Sequence, residues 1–168
     1  IYTAQDASVL YDQLKIVADH LIETRRVIAC SILDHNIGYP VQKQDDKNYC
    51  GGSGNMLAFD PQGRAYPCLR YCPISIGEDK ASKICIGDMK GIYNTPHTLK
   101  IRDYLDAITL SSQSTPECIN CPVGVGCGWC SAYNYESTGD VNKRVTNICW
   151  AHKGRVLASC YYHTRRYL

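Results

Sequence analysis

Apolar residues Val9, Leu10, Leu14, Val17 and Leu21 recur at spacings of three and four, the period of an amphipathic helix. The pattern predicts a helix over residues 6 to 24, with Asp6 as N-cap and Ser8 as a lesser candidate. A shorter apolar stretch, Val27 to Ile37, ends at Gly38 and Pro40, and a polar loop follows from Gln42 to Asn48. Beyond Cys50 the pattern becomes one of short strands. Asn55 to Phe59 and Arg64 to Cys68 flank Asp60-Pro61-Gln62-Gly63, a turn sequence with proline preset at the second position and glycine at the fourth. The result is a β-hairpin with Cys50 and Cys68 near its outer ends. Ile84 to Asp88 reads as a further short strand. Thr95 caps a helix carrying Pro96 in its first turn, with faces set by Leu99, Ile101, Arg102, Leu105 and Ile108. Ser111 to Pro116 is a loop, residues 117 to 130 a cysteine-rich knuckle, and Asn134 to Lys143 polar and turn-like. A last helix runs from about Thr146 into the early 160s, ahead of the basic pair Arg165 and Arg166.

The chain of 168 residues and 18.8 kDa has room for one domain, or for a compact domain with an added element. Hydrophobic residues at 45% and charged residues at 20% exclude a disordered chain. No apolar run reaches the roughly 18 residues of a membrane span, and a net charge of +2 gives no reason to expect nucleic acid. What is abnormal in the composition is 11 cysteines, and 13 tyrosines against one phenylalanine. An odd number of thiols cannot all pair within one chain, and the first helical stretch carries Asp, Lys and His rather than a secretory pattern. The expectation is a cytoplasmic protein whose cysteines serve metal or redox chemistry, not a disulfide-rich secreted domain.

The densest signal is Cys118-Ile-Asn-Cys121, five residues, Cys127-Gly-Trp-Cys130, then Cys149 after eighteen more. Two residues between thiols let both sulfurs face one metal from a tight turn, and Gly124, Gly126 and Gly128 let the backbone wrap closely. Such turns also expose N–H groups that favour sulfur anions. Thiolate sets of this kind suit an iron–sulfur cluster or zinc. The five-residue separation is short beside the roughly 15 to 20 residues of zinc ribbons. A second constellation is Cys50, twelve residues, Gly63, four residues, Cys68, in which the hairpin returns the two cysteines side by side. Taken alone, that arrangement describes small buried residues equally well.

Together, Cys-x12-Gly-x4-Cys, Cys-x2-Cys-x5-Cys-x2-Cys and a final Cys, from Cys50 to Cys149, resemble the SPASM domain. This is the C-terminal extension of radical S-adenosylmethionine enzymes that modify peptides and proteins. One departure is that Gly128 and Trp129 stand where the family has three residues between its last two knuckle cysteines. The resemblance implies an α+β fold, a small β-hairpin and cysteine-knuckle domain with flanking helices and two metal-cluster sites. It implies two auxiliary 4Fe–4S clusters, one on Cys50, Cys68 and Cys130 and one on Cys118, Cys121, Cys127 and Cys149. Spacing by itself groups the four knuckle cysteines at one site. For the first cluster, either Cys72 is an additional ligand or one iron stays open, as in relatives that receive a substrate thiolate there. Cys30, Cys85 and Cys160 lie on apolar stretches and read as core cysteines.

The radical-generating motif Cys-x3-Cys-x2-Cys is not present: Cys68-x3-Cys72 is the nearest match, and position 75 is serine. No series of alternating strands and helices forms a barrel. The expectation is therefore a C-terminal portion of a longer enzyme. Residues 1–40 would be the terminal helix and exit segment of its partial barrel, and residues 41–168 the auxiliary-cluster domain. S-adenosylmethionine would bind in the N-terminal domain. This chain alone would not be catalytic; it would aid electron transfer and placement of a precursor peptide. Its partners would be that peptide and the barrel of the parent chain, with no nucleic acid and no membrane. Asn134 to Arg144 and Tyr161 to Tyr167 resemble maturases acting on ribosomal peptides with repeated cysteines, which implies thioether formation. The alternative is a zinc-stabilised binding module without a redox role. From Asp140 onward six basic residues face one acidic residue, which reads as a solvated helix face. Tyr133, Tyr135, Tyr161, Tyr162 and Tyr167 read as packed side chains with exposed hydroxyls. His97 and His152 lie outside the cysteine motifs and read as surface or satisfied core residues, while Trp129 and Trp150 adjoin candidate ligands.

Overall fold

The computed structural model describes residues 2–25, 28–34, 46, 50, 52, 55–124, 126–128 and 130–167. In chain order these form α1 (Ala4–Glu23), β1 (Ala58–Phe59), β2 (Arg64–Tyr66), a 3-10 turn (Leu69–Tyr71), α2 (Pro73–Ile76) and α3 (Glu78–Ala81). A second 3-10 turn (Ser82–Ile84), β3 (Gly87–Asp88), β4 (Gly91–Ile92), α4 (Pro96–Asp106), α5 (Pro116–Ile119), α6 (Ser131–Thr138) and α7 (Cys149–Tyr167) follow. The fold is α+β, a small antiparallel sheet with flanking helices. The chain divides into two compact units, one of residues 1–42, 120–128 and 146–168, the other of residues 43–119 and 129–145. Among the described residues, no helix is long and apolar enough to cross a membrane.

In the first unit α1 packs on α7. Leu14, Ala18 and Leu21 meet Leu33, Ala158 and Tyr162 in a shared core. The cap of α1 is Thr3, not Asp6: Asp6 is the third helical residue and bonds back to the Thr3 N–H at 2.7 Å, completing a capping box. The buried face also differs from expectation. Val9 and Val17 are exposed at 52% and 43%, while Ala7 and Ala18 turn inward. Small residues occupy the seam because the helices approach closely. A methyl group added at Gly154 of α7 would stand 2.7 Å from the Ala7 carbonyl oxygen. Tyr161 of α7 donates to Asp19 of α1 (2.7 Å), and Ser159 of α7 to the carbonyl of Leu33, in the turn beyond α1 (2.7 Å).

The second unit is organised by a meander, β1-β2-β3-β4, each strand antiparallel to the next. Ala58 faces Tyr66 and Phe59 faces Ala65 across the expected hairpin. Gly63 N–H closes the turn onto the Asp60 carbonyl at 2.9 Å. The Asp60 carboxylate accepts the N–H groups of Gln62 (3.0 Å) and Arg64 (2.9 Å), the Arg64 guanidinium (2.7 Å) and the Tyr66 hydroxyl (3.2 Å). Arg64 also pairs with Glu78. Thr95 caps α4 in a box with Thr98, and Ile101, Leu105 and Ile108 turn into the core with Ala65, Tyr66, Tyr71, Ile76, Ile84 and Ile86. The strand expected over 84–88 begins only at Gly87, behind a 3-10 turn, and β4 was not foreseen. Asn134 to Lys143 is likewise not all turn: residues 131–138 are α6, which stops at Gly139. Its polarity misleads because Asn134 is interior. Its amide donates to the Val141 carbonyl (2.9 Å) and accepts the Val145 N–H (3.1 Å), so a polar side chain organises the following loop from within. The stretch Val27 to Ile37 and the loop Gln42 to Asn48 fall largely outside the described residues.

Two outcomes follow from these contacts. Gly154→Ala gains about 1 kcal/mol of helix propensity but presses a methyl onto α1 backbone, where overpacking costs about 1–3 kcal/mol. A backbone atom cannot swing aside, so the upper part of that range applies and the melting temperature falls. For Asp60, burial works to raise its pKa, but the bonds from the Arg64 N–H, the Arg64 guanidinium and Tyr66 together hold it below the usual carboxylate value. A depressed native pKa gives stability that is present above the unfolded value of about 3.9 and lost as pH falls through the native one. Asp60→Asn is therefore less stable at neutral pH and shows a flatter acid limb in melting temperature against pH.

Candidate metal centre

Three separate segments bring cysteines together in the second unit. Cys68 follows directly after β2 and Pro67, so the hairpin sets its place, and it is the N-cap residue of the 3-10 turn Leu69–Tyr71. Cys130 is the N-cap residue of α6, its sulfur accepting the Tyr133 N–H at 3.4 Å. Cys50 comes in beside Cys68. Gly52 marks how closely: a methyl there would lie 3.2 Å from the Cys68 Sγ and 3.6 Å from the Cys50 Sγ. All three cysteines are half-buried.

The electrostatics group the same residues. Burial pushes the Cys68 thiol up, the nearby N–H groups of Arg70 and Tyr71 pull it down without closing a capping bond, and Cys50 and Cys130 raise it further. Burial also pushes up the Tyr71 hydroxyl, which lies in the field of Cys68, Cys130 and Cys50 alike. Cys72 stands apart: it is 2% exposed within the apolar core, with its thiol donating to the Cys68 carbonyl at 3.9 Å. Its pKa is raised by burial first, then by Asp60 and Cys68.

Of the knuckle set, Cys118 belongs to the second unit, and Cys121, Cys127 and Cys149 to the first. Cys118 lies in α5, where the Thr115 hydroxyl donates to its sulfur (3.3 Å) and accepts its N–H (3.3 Å). In the first unit, successive turns link Cys121, Gly124 and Cys127, with Gly124 N–H on the Cys121 carbonyl and Cys127 N–H on the Gly124 carbonyl. Cys149 opens α7. One turn further on, His152 Nε2 donates to the Val123 carbonyl (2.5 Å), and Arg155 donates to the Gly126 carbonyl (2.6 Å) and to His152 Nδ1 (3.0 Å). These two side chains hold the 121–127 segment to the start of α7. His152 is the satisfied core residue that the sequence suggested, and His97 is exposed. Arg155 is not part of a solvated face. Lys153 lies over the Trp150 ring at 4.3 Å, Tyr162 is buried at 4%, and Tyr167 is 78% exposed. Trp129 lies outside the described residues.

Of the cysteines read as core residues, Cys85 and Cys30 pack against apolar clusters. Cys160 is exposed: it falls on the outer face of α7, between the inward Ser159 and Tyr162. Among the described residues, no three or more His, Cys, Asp or Glu side chains close on a point as a single metal ion requires. Tyr71, Ser131 and Gly52 escaped the sequence reading, because what singles them out is contact with cysteine-bearing segments far away in the chain.

No family model, curated protein or solved structure matches the chain.

The convergence of Cys50 and Cys68 is testable without metal. A short thiol-specific crosslinker should join these two residues in the metal-free chain, read by peptide mass mapping. Gly52→Val, which puts a branched side chain against both sulfurs, should lower that yield severalfold. Equal yields in the two proteins would contradict the placement.

Proposed function

We propose that the chain is an auxiliary iron–sulfur domain of a radical S-adenosylmethionine enzyme that modifies a ribosomally made peptide, by thioether crosslinking at cysteines. The observation that carries the reading is the grouping of Cys50, Cys68 and Cys130 from three distant segments. Those are the three cysteines that the SPASM resemblance assigns to one cluster.

The donor set fits the group. Thiolates are the ligands of 4Fe–4S clusters, N–H groups face two of the sulfurs, and Gly52 leaves the space over two of them clear of a side chain. Thiolates on a single zinc sit about 2.3 Å from it and so crowd together, whereas a cubane spreads them over separate irons. Cys72 packs inward, which favours three protein ligands and an open iron. The resemblance adds a second cluster on Cys118, Cys121, Cys127 and Cys149.

A cluster of this kind, when bound, supplies a one-electron acceptor and a Lewis-acidic iron. The part of this chain is to hold the thiolates, give them N–H donors and limit water at the half-buried sulfurs. The parent enzyme would carry the barrel that binds S-adenosylmethionine and would act on its precursor peptide in the reducing cytoplasm. The chain itself has no Cys-x3-Cys-x2-Cys motif and would make no bond alone.

Elemental analysis after strictly anaerobic purification tests the reading. About eight irons with matching sulfide and a brown absorbance near 400 nm are expected. Cys68→Ala should lose about four irons, and Cys72→Ala should keep them all. About one or two zincs and no iron, persisting after attempted cluster reconstitution, would overturn the reading in favour of a zinc-stabilised module.

A further inference from the structure

Cys68 and Cys130 are each the N-cap residue of a short helical element, and those elements are clamped together. Tyr71, the last residue of the 3-10 turn, donates its hydroxyl proton to the Ser131 hydroxyl at 2.9 Å. Ser131 is the first residue of α6 and directly follows Cys130. Both are buried, Tyr71 at 0% and Ser131 at 1%. The Tyr71 ring also meets the Tyr135 ring of α6 at 6.0 Å, tilted by 54°. Further out, Arg70 pairs with Glu136 at 2.8 Å, and this pair is exposed.

These contacts differ in weight. An exposed ion pair contributes about 0–1 kcal/mol, and ring contact is tolerant of small slips. A buried hydroxyl pair is not, because separating it leaves two polar groups without water. The bond therefore fixes how the Cys68 segment sits against the Cys130 segment; among the described residues no backbone–backbone hydrogen bond links the two. Its two residues lie three positions after Cys68 and one after Cys130, too near for either end to shift without moving a sulfur.

We infer that Tyr71 and Ser131 are positioning residues: their buried hydrogen bond sets the Cys68–Cys130 sulfur spacing that the first cluster requires. The inference rests on the cluster reading for its function, but the geometry it asserts belongs to the chain with or without iron. Outer groups that orient metal ligands typically change metal affinity by about 10- to 100-fold when removed.

The experiment uses the full chain and three variants, Tyr71→Phe, Ser131→Ala and the double substitution. Iron loss to a chelator and the electron paramagnetic resonance spectrum of the reduced protein are measured anaerobically. The yield of a short crosslink between Cys68 and Cys130 is measured in the metal-free chain, and melting temperatures check folding. Each single variant should release iron from the first cluster about 10-fold faster or more, with an altered first-cluster spectrum and a reduced Cys68–Cys130 crosslink. The double variant should be no worse than either single one, as one shared bond demands. A merely structural bond would lower the melting temperature and leave spectrum and crosslink unchanged, and that result would overturn the inference, as would additive single effects. If the unaltered chain takes up no iron, the cluster reading fails. The crosslink comparison then still decides the positioning role: reduced yield sustains it and unchanged yield refutes it.

Discussion

Bringing like thiols together is the constraint that shapes the larger unit. Burial and the neighbouring cysteines both raise the Cys68 thiol, so any charge placed there must be answered locally. The chain answers with backbone dipoles. The N–H groups of Arg70 and Tyr71 face one sulfur and that of Tyr133 another, because each cysteine begins a helical turn. What those dipoles leave uncompensated is a demand for cationic charge, which bound iron or zinc would meet.

The sheet serves that arrangement more than it serves stability. Its strands are two or three residues long, well below the usual five or six. Side chains do the work that long ladders do elsewhere. Asp60 gathers two backbone N–H groups, a guanidinium and a phenol at the hairpin turn, and Gln113 and Asn134 both donate to the Val141 carbonyl from buried positions. Such polar struts demand geometry that an apolar core of this size does not impose. They explain how so little sheet can fix the direction in which Cys68 leaves β2.

What was legible in the sequence was local. The turn from Asp60 to Gly63, the cap at Thr95 with Pro96 behind it, and the 3.6-residue period of α1 are signals within a few residues of one another, and the structure carries all three. The errors arise where a distant partner decides. Val9 and Val17 lost the inner face of α1 to alanines because α7 comes too close for larger residues. Helix α6 was hidden by its polar composition, since Asn134 satisfies a loop that sequence alone cannot fold. Its N-cap is a cysteine, which is not among the residues whose oxygen chemistry marks helix starts.

The same distinction governs the site. Spacing located every thiol but gave no means of sorting them, and it favoured one group of four within the knuckle. By chain path, Cys118 and Cys130 belong to the second unit, where Cys130 begins a helix, and Cys121, Cys127 and Cys149 to the first. Cys72 illustrates the converse. By count it stands four residues beyond Cys68, with three between, a familiar ligand spacing, yet the intervening 3-10 turn carries it into the core among Tyr71, Ile76 and Ile84. A three-residue gap presents two sulfurs to one metal only if the backbone between them curls around that metal. Here it curls around Tyr71, whose hydroxyl reaches Ser131 instead. The residue that draws Cys130 toward Cys68 is thus the one whose burial turns Cys72 away, and both effects follow from one buried tyrosine.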